Sequence, residues 1–128
     1  MESEKEIVNK FIGLEDLDLT NSMKLKIEEL SADYSEEFVT IINNSAKLIV
    51  HFKQLRSDGQ QQLHEIKSRL QYPGATITSK NEDWDLITAL RDCFEDIKTQ
   101  LKHRYKKRNQ HKSSSTTEYK DAAEQIIR

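Results

Sequence analysis

The sequence predicts an all-α protein, an elongated helical hairpin or small helical bundle with coiled-coil character and a flexible C-terminal tail. Three observations carry that expectation. Only three Gly and one Pro occur in 128 residues, which leaves little turn chemistry for β-hairpins. Hydrophobic residues make up 35% and charged residues 33%, a modest supply of core with an abundance of helix formers. Most tellingly, an apolar stripe runs through Met23, Ile27, Leu30, Tyr34, Phe38, Ile41, Ser45, Leu48, Phe52 and Leu55 in steps of three and four residues, a mean of about 3.6.

Taken in order, Ile7, Val8, Phe11 and Ile12 fit a short helix stopped by Gly13, and the acidic Leu14 to Leu19 stretch reads as a connector, so that 1–21 form one unit. Thr20, Asn21 and Ser22 offer an N-cap to the helix that carries the long stripe. Gly59 either bends this helix or is absorbed by it, because Leu63, Ile66 and Leu70 resume almost in register. Tyr72-Pro73-Gly74 ends it. The expected long helix is therefore 22–72, its stripe from Met23 to Leu55 alone running roughly 50 Å at ~1.5 Å per residue.

Residues 75–81 read as a polar connector, with Ser79 and Glu82 spaced as a capping box for a second helix over 82–110. Its stripe is Trp84, Ile87, Leu90, Phe94, Ile97, Leu101 and Tyr105, packing back along the first to complete a hairpin over 22–112. Residues 113–128 open with Ser113-Ser-Ser-Thr-Thr117, a linker composition, and end in a short amphipathic segment with Tyr119, Ala122, Ala123, Ile126 and Ile127.

Charge is unevenly spread beneath a net −2. Residues 1–38 hold eleven acids and four bases, whereas 97–117 hold seven bases and no acid. The basic run Leu101 to Lys112 supplies Lys102, Arg104, Lys106, Lys107 and Arg108 as a candidate surface for an anionic partner. Three readings apply to it: cations satisfying a helix C-terminus, a nuclear-import signal or acidic-protein site, and a nucleic-acid contact. Reversing Lys106, Lys107 and Arg108 would test the last.

The second candidate surface is apolar. Between Phe38 and Phe52 the helix would be greasy on more than one face, so Phe38, Ile41, Ile42, Ile49 and Phe52, with Trp84, are expected to bind a partner's helix or to form core. Enzymatic chemistry lacks its parts. The glycines at 13, 59 and 74 stand apart, His51, His64, His103 and His111 form no ligand pattern, and one cysteine cannot build a CxxC site. Asp92 and Asp96, one turn apart, read as a solvated face, and Cys93 as core.

The functional expectation is a non-enzymatic scaffold or adaptor subunit of a multiprotein complex, bound to helical subunits or to itself through helix–helix contacts. The alternative is a nuclear or nucleic-acid-associated protein using 101–112. No cofactor, metal, small-molecule substrate or membrane span is expected. The acidic start and single cysteine point to an intracellular protein, cytoplasmic or nuclear.

Overall fold

A computed structural model describes residues 6–113, with side chains as far as Tyr105. The all-α expectation is wrong. The chain builds a four-stranded mixed sheet covered on one face by two helices, and neither a coiled coil nor a helical bundle. The elements are β1 (Ile7–Ile12), a 3-10 turn (Leu14–Asp16), α1 (Asn21–Ile42), β2 (Ala46–Asp58), β3 (Gln61–Tyr72), β4 (Ala75–Asp83) and α2 (Leu86–Ser113). Strands lie in the order β1-β2-β3-β4. The first pair is parallel and the other two antiparallel.

The first helix expected from residues 7 to 12 is a strand. Its residues alternate, Ile7, Asn9 and Phe11 facing the helices while Val8, Lys10 and Ile12 face away, and the β-branched Ile7, Val8 and Ile12 favour the extended chain. Gly13 takes φ 86°, and a Cβ there would overlap the carbonyl oxygen of Phe52, so glycine is required by both its backbone and its neighbour.

The long helix of 22–72 is three elements. Its first part, α1, starts where expected: the Thr20 hydroxyl accepts the Met23 amide at 3.1 Å. It stops at Asn43, held in the left-handed region at φ 58° with its amide bonded to the Val39 carbonyl. Leu48, Val50 and Phe52 then alternate inward as β2. Gly59 neither bends nor joins a helix; with Gln60 it forms the two-residue loop closed by the Asp58 and Gln61 pair. Pro73 and Gly74 make the equivalent loop between β3 and β4, where Tyr72 pairs with Ala75.

The supposed connector of 75–81 and the capping box of Ser79 and Glu82 are β4. Ile77 and Ser79 point at the helices, and the second helix begins later, at Leu86. The linker and tail read at 113–128 lie, Ser113 apart, outside the described residues.

A single core fills the space between sheet and helices. The strands contribute Leu48, Val50, Phe52, Ile66, Leu70 and Ile77, α1 contributes Ile27, Tyr34, Phe38 and Ile42, and α2 contributes Leu90, Cys93, Phe94, Ile97 and Leu101. The helices are joined by an aromatic trio, with the Phe94 ring 5.2 Å from Tyr34 and 6.2 Å from Phe38. Around its rim the Tyr34 hydroxyl donates to Glu95, and Lys98 meets Glu37 at 2.7 Å. No described helix is long and apolar enough to cross a membrane.

Candidate functional site

With both helices on one side, the sheet's other face has no described layer over it, the arrangement usual for antiparallel sheets with one solvated face. Strand register determines what stands there, since paired residues share a face. One row reads Ile12, His51, Lys67, Lys80; the next, Lys10, Ile49, Arg69, Thr78; the next, Val8, Lys47, Gln71, Thr76; and Lys53, Glu65 and Glu82 continue towards the β2–β3 turn.

Six cations, Lys10, Lys47, Lys53, Lys67, Arg69 and Lys80, therefore meet two carboxylates, a surplus of four positive charges on one face of a chain whose net charge is −2. Only Lys80 forms an ion pair among them, to Glu65 at 3.3 Å. Lys67 and Lys80 stand directly opposite one another on antiparallel strands, where like charges are destabilising. A shallow depression of about 570 Å³ opens among His51, Lys67, Arg69, Thr78 and Lys80, with Ser68, Ser79 and Asp96 completing its wall. Apart from the His51 imidazole, no aromatic side chain lies on this face in the rows given by the register.

Helix α1, on the opposite layer, has the other sign. Along it, Glu28, Glu29, Asp33, Glu36 and Glu37 face only Lys24 and Lys26. Folding thus sets a positive sheet face against a negative α1.

The apolar candidates do not form a docking face. Phe38, Ile42 and Phe52 are buried in the core, because α1 and β2 turn them onto α2 and the 3-10 segment, and a partner has no access to them. Ile41 is partly buried against the same core. Ile49 stands on the open sheet face between Lys10 and Arg69. Trp84 lies between β4 and α2, 39% exposed, with the Arg56 guanidinium 5.6 Å from its ring centroid.

Of the basic run, Lys102 and Arg104 are exposed on α2, on the helix layer, where Lys102 borders a depression with Glu36, Glu37 and Ile41. They do not join the sheet cations. Positions 106, 107 and 108 belong to α2, but the side chains of Lys106, Lys107 and Arg108 lie outside the described ones. Among the described residues, no group of three or more His, Cys, Asp or Glu side chains is placed to hold a metal ion. Cys93 is buried, as its apolar neighbours imply, and burial pushes its thiol pKa up despite the hydrogen bond donated by the Asn81 side-chain amide.

Helical periodicity concealed the sheet cations. Their signal was alternation: Lys47, Ile49, His51 and Lys53 interleave with Leu48, Val50 and Phe52, and Glu65, Lys67, Arg69 and Gln71 interleave with Ile66, Ser68 and Leu70.

No family model matches the chain. Nor does any curated protein. Several solved structures are similar to it. The crystal structure of the Thermus thermophilus Protein Y N-terminal domain matches at a TM-score of 0.48 and 18% identity, over 76% of this chain and 92% of that one. The structure of a ribosomal subunit interface protein from Coxiella burnetii matches at a TM-score of 0.43 and 16% identity, over 78% and 96% respectively.

Proposed function

We propose that this protein is a non-enzymatic RNA-binding protein whose open sheet face grips the phosphate backbone of base-paired RNA. The observation that carries the reading is the surplus of four cations on one flat, uncovered face of a net-negative chain. Lysines paired across strands cost stability, and a cost of that kind is expected where a ligand's charge offsets it. A phosphate array is such a ligand.

One imidazole, His51, is the only ring in the rows of this face, too few for a single-strand platform, which stacks successive bases on several aromatics. A flat sheet also cannot enter the deep major groove of B-DNA as a helix does. It can lie across the wide, shallow minor groove of an A-form duplex, where Thr76, Thr78 and Gln71 are placed to meet 2′-hydroxyls between the cations.

The test compares wild type with two variants by fluorescence anisotropy on a labelled RNA hairpin and a DNA hairpin of the same sequence. Neutralising Lys47, Lys67 and Arg69 to Gln is expected to abolish RNA retention at physiological salt, while changing Lys102 and Arg104 to Gln leaves it nearly intact. Retention that depends on Lys102 and Arg104 alone would move the site to α2 and defeat the proposal.

An adaptor role is the second reading, favoured by Val8, Ile12 and Ile49, which form an apolar rim on the same face beside the free edge of β1. A partner strand or loop, and not a helix packed along a helical stripe, suits that edge.

A further inference from the structure

We propose that the end of the molecule at the β2–β3 turn holds one unpaired nucleobase, guanine in preference to the others, stacked on Trp84 and hydrogen-bonded to Asp83 and Asp85. This rests on the RNA-binding reading for where the base comes from, but its site is separate from the sheet cations.

An open depression of about 460 Å³ lies there, walled by Trp84, His64, Asp83, Asp85, Gln61 and Gln62. That falls within the roughly 300–1,000 Å³ of small-ligand sites. Arg56 packs over the indole and holds it in place, yet over a third of Trp84 stays open to solvent, an unusual exposure for the chain's single tryptophan. His64 is only 7% exposed, lines the depression, and its Nδ1 has no hydrogen-bond partner among the described residues. That nitrogen has no accessible surface, so His64 contributes a buried ring to the wall of the depression and no hydrogen bond to its occupant. Burial lowers the His64 pKa, against the opposing pull of Asp85, so the ring stays neutral with one donor and one acceptor nitrogen.

The two carboxylates are already oriented. Asp83 Oδ1 accepts the Asp85 amide at 2.8 Å, and Asp85 Oδ2 accepts the Thr88 hydroxyl. One oxygen of each carboxylate remains for a ligand. Guanine alone among the four bases presents two adjacent donors, N1–H and the N2 amino group, on its Watson–Crick edge, the pattern a carboxylate accepts. Two acids beside one arginine repel a free phosphate, so the ligand recognised here is the base and not a phosphate. The sheet face would position the backbone, and this end would read a base extruded from it.

Trp84 is the chain's one tryptophan, so fluorescence excited selectively at tryptophan, beyond the absorption of the four tyrosines, reports on this site alone. The whole chain is titrated with guanosine, adenosine, cytidine and uridine, none of which carries a phosphate. Saturable quenching by guanosine at roughly tenfold lower concentration than by the others is expected. Asp85→Asn keeps a helix-capping side chain but loses the carboxylate, and should erase that preference; Asp83→Asn is the second variant should the first not fold. The source of the base is then tested with RNA hairpins bearing a bulged guanine or a bulged uridine, the guanine hairpin alone being expected to quench. Equal quenching by all four nucleosides, none at millimolar guanosine, or a guanosine preference that survives both Asp variants overturns the proposal. Because nucleosides carry no phosphate, their binding should survive neutralisation of Lys47, Lys67 and Arg69, so loss of RNA affinity and loss of base recognition are separate failures.

Discussion

Neutralising Lys47, Lys67 and Arg69 to Gln has an effect that can be sized from the sheet register. Six cations stand on the open face, and the Glu65 carboxylate 3.3 Å from Lys80 occupies one of them, leaving five for phosphates. If each neutralised phosphate contributes a slope of about −0.9 in log K against log salt, full contact gives about −4.5, and affinity falls about 500-fold between 50 and 200 mM salt. The triple variant keeps two free cations, so its slope should flatten to about −1.8 and the same change of salt should cost only about 12-fold. All three side chains are exposed, so the fold should survive, checked by an unchanged far-ultraviolet circular dichroism spectrum and a melting midpoint that does not fall, relief of the Lys67 and Lys80 repulsion being expected to raise it. Anisotropy titrations at several salt concentrations measure both slopes. Parallel lines for wild type and variant would refute the reasoning, because they would mean that none of the three side chains touches a phosphate.

Three stability predictions follow from the core, a glycine and a histidine. Phe94→Ala removes the ring that joins Tyr34 and Phe38 in a fully buried site, and urea denaturation should show a loss of about 3–5 kcal/mol; a loss near zero would mean that α2 is not docked as described. Gly13→Ala should cost clearly more than Gly59→Ala, with the first above about 1 kcal/mol, since both have positive φ but only a Cβ at 13 meets the Phe52 carbonyl. His64 titrates below its ordinary value because it is buried, so the folded state binds its proton less readily than the unfolded chain does. The stability this contributes is present above about 6.5 and is lost as pH falls from there towards the lower folded pKa. His64→Gln should remove that part of the acid sensitivity in melting curves recorded between pH 7.5 and 5, and curves that keep the same pH dependence would assign it to other groups.

Residues four apart share a face in both a helix and a strand, and this coincidence explains most of what the sequence disguised. Leu48 and Phe52, or Ile66 and Leu70, fit a helical stripe as well as they fit alternate positions of a strand. Only the residue between them decides. In β2 that residue is Val50, which is apolar and was legible as alternation, whereas in β3 it is Ser68, a polar residue in the core that breaks the pattern. Scarcity of glycine and proline misled in the same direction, because two of the three glycines serve as single residues in two-residue hairpin loops, and so few suffice for three strands. By contrast α1 from its Thr20 cap, the stop at Pro73-Gly74, and the stripe from Leu90 to Leu101 were all readable, since caps, turn residues and long periodic runs act locally.

The candidate site divides along the same line. Lys102 and Arg104 were visible as a contiguous run, and they stand exposed on α2; Lys10, Lys47, Lys67, Arg69 and Lys80 are scattered over seventy positions and could not be seen as a group. The local sequence by itself determined where α1 begins, where the chain turns at Pro73-Gly74 and which side chains are greasy enough to need cover. Which elements pair, and hence which face each lysine shares with the others, was decided by hydrogen bonds between strands far apart in the chain and by the choice of one sheet face for both helices. A surface of like charges assembled from four strands has no local signal, because no short stretch of chain contains it.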